Sequence, residues 1–211
     1  NNGFKSHKDF IEYLKLDYRR NEAVEDYIKK EITDKEIQEY YDKEVYGDVN
    51  TKHMLVKPDT NDKMTDEEKE TKKKEALNLA KEIIAKLNTG KSFDEVKEEY
   101  KDKITYEELS FQSYNANLDK AYLNEMKNLE VNTYSKTPVE SSYGYHIVYK
   151  IAQKEKPSLE DVKSDILDTL YEQKIQENSK LYTESLFKIR EKNELKFEDS
   201  VLKEKYETYK T

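Results

Sequence analysis

The chain has 211 residues and a formal net charge of −8, with 38 Lys and Arg against 46 Asp and Glu. Acidic and basic residues are interspersed, which argues against nucleic acid as the main partner because phosphate binding requires a net basic face. The sequence contains no Cys, which excludes disulfides, thiolate metal sites and a cysteine nucleophile within it. It also contains no run of about 18 apolar residues, so no membrane-spanning helix is predicted.

The N-terminal part of the sequence is predicted to be helical. Residues 4–31 carry apolar side chains at roughly helical spacing, and no Gly or Pro interrupts them. A second helix is predicted to begin at Thr33, because Thr33 and Glu36 form a capping-box pattern, and to end near Gly47.

The middle of the sequence alternates short strand-like runs with amphipathic segments. Capping-box pairs at Thr65 with Glu68 and at Ser92 with Glu95 mark two helix starts. The predicted elements are a strand at 51–57, a helix from 65 to Gly90, a short helix at 93–100, a strand at 106–111, a helix within 118–129, and two strands within 138–149 separated by a turn at 141–144. This order predicts a β-α-α-β-α-β-β core.

The C-terminal part is again predicted to be helical. Ser158 with Asp161 opens one long helical stretch that extends to about residue 192, and residues 195–197 are predicted to form a strand. The last ten residues give no clear pattern.

The two helical flanks lack an apolar partner of their own. We therefore expect them to pack on each other, with the middle segment inserted between them as a separate domain. The predicted fold class is α+β, with helical parts at 1–48 and 153–211 and an inserted domain at 49–152.

Two of the three histidines, His53 and His146, lie in strand-like runs about 90 residues apart in the sequence. His53 precedes Met54-Leu55-Val56, and His146 lies between Tyr143-Gly144-Tyr145 and Ile147-Val148. A histidine in a strand is more often a hydrogen-bonded core residue than a catalytic one. Two imidazoles without an obvious third ligand also fall short of the usual zinc set, so neither a metal nor another cofactor is predicted.

These two histidine runs, together with the intervening run Leu87-Asn88-Thr89-Gly90-Lys91-Ser92-Phe93, resemble a parvulin. Parvulins are small peptidyl-prolyl cis/trans isomerase domains. The resemblance covers about residues 49–152 and implies an antiparallel sheet of about four strands with surrounding helices. The helical flanks are similar to those of PrsA-type foldase lipoproteins, in which a parvulin is inserted into a SurA-like helical chaperone domain.

The resemblance implies the residues of a proline site. His53 and His146 match the two histidines beneath the proline, and Asp102 is the best match for the polar group beside the prolyl amide. The matching substrate contacts are Leu109, Leu118, Tyr122, Tyr143 and Met54. The implied activity is isomerisation of X-Pro bonds, combined with chaperone activity of the helical flanks.

One departure from the parvulin pattern leaves an alternative open. Active parvulins usually carry a Gly-Gly-Asp-Leu-Gly-like segment, whereas this chain has no Gly between Gly90 and Gly144. The alternative is a non-catalytic holdase with a degenerate parvulin domain. A purely structural helical protein would require both histidine motifs to be coincidental.

The resemblance also implies partners and a location. The expected partners are unfolded or newly secreted proteins with X-Pro bonds, without phosphate specificity, because the loop at 57–63 has two Lys and no Arg. The sequence begins without Met, so we expect a piece of a mature protein. The expected location is the outer face of a Gram-positive cell membrane, through a lipid anchor outside this sequence, and a homodimer through the helical domain is compatible with the resemblance.

Overall fold

The computed structural model describes residues 3–210, which form eight helices and four strands. In chain order these are α1 His7–Glu31, α2 Asp34–Glu44, β1 Val49–Val56, α3 Asp66–Asn88, α4 Phe93–Glu99, β2 Thr105–Gln112, α5 Lys120–Asn128, β3 Val139–Ser141, β4 Gly144–Gln153, α6 Leu159–Glu177, α7 Leu181–Lys192 and α8 Ser200–Lys210. The chain divides into two compact units, a helical unit of residues 3–43 and 158–210 and a sheet unit, Glu44–Pro157. The α+β fold class is thereby confirmed, while the domain boundaries at 48/49 and 152/153 stay a prediction.

The helical unit combines the two ends of the sequence. Helix α1 packs against α6 and α7, and Val24 and Ile28 are its buried residues. Lys29 of α1 pairs with Asp168 of α6, and Lys174 of α6 donates to Glu36 of α2 at 2.6 Å. The two flanks therefore stabilise each other, as the sequence analysis expected.

The structure corrects two predictions near the C-terminus. The long helix expected from Ser158 to residue 192 is interrupted at 178–180, because the Asn178 side chain accepts a hydrogen bond from the Lys180 backbone N–H and so favours a turn. Residues 195–197 are not a strand. Helix α8 follows them instead, and its start is capped by Asp199, which accepts hydrogen bonds from the N–H groups of Val201 and Leu202.

The sheet unit is built on a four-stranded antiparallel sheet in the order β2-β1-β4-β3. Helices α3 and α4 cover one face, where their apolar side chains meet those of β1 and β4. This packed face contains Met54, Val56, Ala80, Ile83, Ile84, Val96 and Ile147. Both predicted capping boxes are present: Thr65 with Glu68 at the start of α3, and Ser92 with Glu95 at the start of α4.

Helix α5 covers the opposite face of the sheet. Tyr122 and Met126 of α5 pack against Val148 of β4. Lys150 of β4 is 1% exposed, and its Nζ donates to the carbonyl oxygens of Met126 at 3.0 Å and Leu129 at 2.7 Å. A cation at the C-terminus of a helix satisfies carbonyls that have no helical partner, so Lys150 fixes the end of α5 to the sheet.

Candidate functional site

The sheet register brings the two strand histidines together. Leu55 of β1 pairs with His146 of β4, and His53 lies two residues before Leu55. Alternate residues of a strand share a face, so His53 and His146 are diagonal neighbours on the face covered by α5. Their ring centroids are 4.8 Å apart, and each ring lies 5.3 Å from the ring of Tyr122.

A hydrogen-bond network orients His53. The Tyr122 hydroxyl lies 3.0 Å from His53 Nδ1 and 3.1 Å from Thr51 Oγ1. Glu107 of β2 stands directly opposite His53, with its Oε2 3.9 Å from His53 Nε2. The negative charge of Glu107 favours the tautomer with the proton on Nε2, in which Tyr122 donates to Nδ1 and accepts from Thr51.

His146 is held from its other side. Its Nε2 lies 2.8 Å from Ser141 Oγ of β3. The turn that joins β3 to β4 depends on Gly144, which has a φ of 135° and where a Cβ would lie 2.4 Å from the carbonyl oxygen of Val56. Among residues 3–210, no group forms a hydrogen bond with the buried Nδ1 of His146.

Burial keeps both imidazoles neutral at physiological pH. Loss of solvation lowers the pKa of His53 to about 4. The pKa of His146 is lowered to about 4 by burial and by the neighbouring His53. Burial raises the pKa of the Tyr122 hydroxyl to about 12, so this group stays protonated. The contact between Glu107 and His53 is therefore a contact with a neutral ring and not an ion pair.

The three rings form the floor of a cavity of about 340 Å³. Its lining is apolar towards α5 and the middle of β2, and polar along the rim. The residues that line it are His53, Leu55, Lys57, Thr105, Glu107, Leu109, Leu118, Asp119, Tyr122, Tyr143 and His146. The volume lies within the range that accommodates a small ligand or a few peptide residues.

Six of the eight residues predicted for a proline site line this cavity. His53, His146 and Tyr122 are buried at its floor, Leu109 and Leu118 are half-buried in its walls, and Tyr143 is 68% exposed at its rim.

The structure places the other two predicted residues elsewhere. Met54 is fully buried on the packed face, because adjacent residues of a strand point to opposite sides of the sheet. Met54, predicted as a substrate contact, therefore does not line the cavity. Asp102 is exposed in the turn between α4 and β2 and does not line the cavity.

Two carboxylates that the sequence analysis missed do line the cavity. Glu107 reaches it because β2 pairs with β1 in the register that sets Glu107 against His53. Asp119 reaches it as the N-cap of α5, where its side chain accepts a hydrogen bond from the N–H of Ala121. Asp119 could have been found from a local signal, because an Asp directly before a helix is a typical N-cap. Glu107 could not, because its position depends on a pairing between distant segments.

Comparisons with known proteins are consistent with this geometry. The PPIC-type PPIASE domain family matches residues 32–164, which is more than half of the chain. The chain belongs to this family. The match covers all four strands, helices α2 to α5, the start of α6, and every residue that lines the cavity.

Two curated relatives show the same similarity over almost the whole chain. Foldase protein PrsA of Bacillus subtilis (strain 168) is 27% identical over 95% of this chain and 62% of its own length. Foldase protein PrsA 2 of Bacillus cereus is 30% identical over 98% of this chain and 64% of its own length. The chain thus spans less than two thirds of the length of these two relatives.

A solved structure supports the fold. The crystal structure of the peptidylprolyl isomerase PrsA from Bacillus cereus aligns with 100% of this chain and 72% of its own, with a TM-score of 0.55 and 26% identity.

Residues 3–210 lack two further features, a group of metal ligands and a membrane-spanning helix. No three His, Cys, Asp or Glu side chains in this part of the chain converge as metal ligands. None of its helices combines the length and the apolar character that a membrane span requires.

Proposed function

We propose that the chain is an extracytoplasmic protein-folding factor that catalyses cis/trans isomerisation of X-Pro bonds in unfolded or newly secreted proteins. The observation that carries the proposal is the cluster of His53, His146 and Tyr122 at the floor of a cavity with apolar walls. Membership of the PPIC-type PPIASE domain family and the similarity to proteins named foldase support it.

The chemistry of this reaction requires few groups. The barrier to rotation about the peptide bond is about 18–20 kcal/mol and comes from amide resonance. No covalent bond is broken, so the site needs neither a nucleophile nor a metal. It needs a slot that holds the proline ring and surroundings that favour the twisted amide over the planar one. A drier environment also weakens the polar resonance form of the amide.

The cavity residues suit these requirements. In the proposal, Leu109, Leu118 and Tyr122 hold the proline ring. His53 and His146, neutral and fixed in orientation, provide the polar surface beneath the prolyl amide. The Nδ1 of His146 has no hydrogen-bond partner among residues 3–210, and in the proposal this surface offers it to the substrate.

A non-catalytic holdase is the second candidate. Two observations favour it. Asp102 lies away from the cavity, so the polar group expected beside the amide is not at the position that the resemblance implied. Helix α1 exposes large apolar side chains, with Tyr13 48%, Leu14 43% and Leu16 65% exposed, which could contact unfolded segments. In the leading proposal the same surface gives the helical unit its chaperone activity.

The proposal extends to location and assembly. By its similarity to PrsA-type foldase lipoproteins, the protein would act at the outer face of a Gram-positive cell membrane, attached by a lipid anchor outside this sequence. Homodimers would form through the helical unit. Sedimentation equilibrium of the chain tests the dimer, and labelling with a radioactive fatty acid in the source cells tests the anchor.

The isomerase proposal is tested by NMR exchange spectroscopy on a short Ala-Pro peptide. Uncatalysed exchange takes roughly 10–100 s, so catalysis is measured directly as faster exchange. We expect acceleration by the wild-type chain, a loss of at least tenfold in His146→Ala, and no loss in His7→Ala, which makes the same change at an exposed histidine of α1. Asp102→Asn tests the polar group that the resemblance implied: slower exchange in this variant would support that role, whereas its position outside the cavity predicts no change.

Wild-type exchange at the uncatalysed rate, with a folded protein by circular dichroism, would contradict catalysis and leave the holdase. Suppression of aggregation of an unfolded client by the same sample would then support the holdase directly.

A further inference from the structure

Glu107 is an acidic side chain that lines the cavity beside His53. It stands opposite His53 in the β1–β2 pairing, its side chain is 61% exposed, and its Oε2 lies 3.9 Å from His53 Nε2. Its carboxylate therefore lies between the buried rings and the solvent.

Within the described part of the chain, no cationic side chain neutralises the carboxylate of Glu107. Within residues 3–210, the one basic side chain in contact with the Glu107 carboxylate is His53, and its ring is neutral at physiological pH. The second carboxylate of the rim, Asp119, is held at the N-terminus of α5 by the Ala121 N–H. Lys57 is the one ammonium of the rim, so two carboxylates face a single Lys around the cavity.

The cavity also carries independent signs of ligand binding. His146 is 6% exposed, lines the cavity, and its Nδ1 has no hydrogen-bond partner among the described residues. Buried polar atoms normally have a partner, so this nitrogen is a hydrogen-bonding group left for a bound ligand or water molecule to satisfy.

We propose that Glu107 sets the specificity of this site, so that it prefers prolyl bonds with a Lys or Arg residue next to the proline. The inference rests on the proposed function and adds the class of substrate to it. Glu107 acts on the neighbour of the proline and not on the rotating amide.

The geometry of β2 supports this assignment. Glu107 and Leu109 are alternate residues on one face of the strand and therefore lie about 7 Å apart. In an extended peptide, neighbouring Cα atoms are about 3.8 Å apart. A proline ring held against Leu109 thus brings the adjacent residue within reach of the Glu107 carboxylate, and a long basic side chain spans the remaining distance.

The size of the preference follows from the exposure of Glu107. Charge pairs at a solvated rim change an equilibrium or rate ratio by about two- to fivefold at low ionic strength. Salt at about 1 M shortens the screening length to about 3 Å, so the preference should then largely disappear.

The experiment compares matched peptides in which Lys or Glu stands before the proline, and a second pair in which Lys or Glu follows it. The measured quantity is the Lys-to-Glu ratio of catalysed exchange, by NMR exchange spectroscopy, at low and high salt. We expect a ratio of about two to five for one of the two positions in the wild-type chain, and a ratio near one in Glu107→Gln.

Glu108→Gln is the matched control, because it removes the same charge from the next residue. Tyr106 and Glu108 alternate with Thr105, Glu107 and Leu109, so Glu108 points away from the cavity. This control should keep the wild-type ratio. Lys57→Gln should increase the ratio, because it removes the one ammonium of the rim.

The outcomes separate this inference from the proposed function. Catalysed exchange with the same Lys-to-Glu ratio in the wild type and Glu107→Gln would overturn the role of Glu107 and leave the isomerase intact. Without catalysis of any peptide, titration of ¹⁵N-labelled protein with the same peptides still measures the preference through binding. Equal affinity for Lys and Glu peptides in that titration would overturn it.

Discussion

The two faces of the sheet are made by the same strands but differ in composition. On the packed face, Met54 and Ile147 are fully buried among the apolar side chains of α3 and α4. On the face covered by α5, the same strands bury Thr51, His53, His146 and Lys150. The alternation of side chains along a strand allows one segment to supply both a core and a polar site.

The difference between the faces has an energetic consequence. Burial of apolar groups stabilises the fold and does not depend on protonation. A buried polar group costs free energy unless a hydrogen bond compensates its loss of solvation. Thr51, Tyr122 and His53 compensate one another, and Lys150 is compensated by two carbonyls. The packed face should therefore determine stability at all pH values, and the α5 face should make stability depend on protonation.

The largest expected effect concerns the two buried histidines. In the folded chain the pKa of each is about 4, against about 6.5 in the unfolded chain, so the unfolded state binds more protons below pH 6.5. Their contribution to stability is complete above pH 6.5 and is lost as the pH falls towards 4. We expect the free energy of unfolding, measured with urea, to fall by about 4 kcal/mol between pH 8 and pH 5.

The control for this prediction is His7→Gln, which should show the same fall, because His7 is exposed. NMR titration of the imidazole signals assigns the effect to its residues. Titration of His53 and His146 between pH 6 and 7 would contradict the predicted pKa values and the contrast between the faces.

A truncation on the packed face should lower the free energy of unfolding by slightly less than acidification does, and it should do so at every pH. Ile147→Ala removes three methyl or methylene groups from a fully buried position, and we expect a loss of about 3 kcal/mol in the free energy of unfolding. Ile151→Ala on the same strand is the matched control, and its cost should be smaller because Ile151 is half-buried. Equal losses in the two variants would show that the complete burial of Ile147 does not determine the cost of its truncation.

Removal of one hydroxyl tests the polar network. Tyr122→Phe leaves His53 Nδ1 and Thr51 Oγ1 without their shared partner, while the apolar part of the ring is retained. We expect a loss of about 1–2 kcal/mol in the free energy of unfolding and a lower rate of X-Pro exchange. Tyr134→Phe removes a hydroxyl that bonds Asn88 at an exposed position, and it should change stability by less than about 0.5 kcal/mol.

The sequence predicted the elements whose signals are local. Thr65 and Ser92 each cap a helix through a partner three residues away, and both capping boxes are present in the structure. The turn at Gly144 is also local. The helix break at Asn178 was missed, although its signal is also local: the Asn178 side chain accepts a hydrogen bond from the N–H two residues later, which forms an Asx turn. The start of α8 at Asp199 was missed because the helix that follows lacks a buried apolar stripe.

The residues of the site could be predicted only where the family resemblance, or the alternation of side chains along a strand, indicated which distant segments lie together in space. His53 and His146 come together through a register between segments about 90 residues apart, which the resemblance implied and the alternation of side chains explains. The same alternation could have excluded Met54, the residue next to His53. Glu107 was not predictable, because its position depends on the pairing of β1 with β2 and on a β-bulge near Thr51 that sets the register.

Leu118→Ala, in the wall of the cavity, should have the smallest effect on stability but a large effect on activity. Leu118 is half-buried in the wall of the cavity, so Leu118→Ala removes few packing contacts, and we expect the free energy of unfolding to fall by less than about 1 kcal/mol. The proline slot would lose one wall, and X-Pro exchange should slow by about tenfold, because a misplaced substrate loses the advantage of orientation. Leu129→Ala is the matched control: Leu129 is also half-buried beside α5 but does not line the cavity, and its loss should leave exchange unchanged. Equal slowing in both variants would show that the rate follows the stability of α5, and the cavity would then not be the place where the proline ring binds.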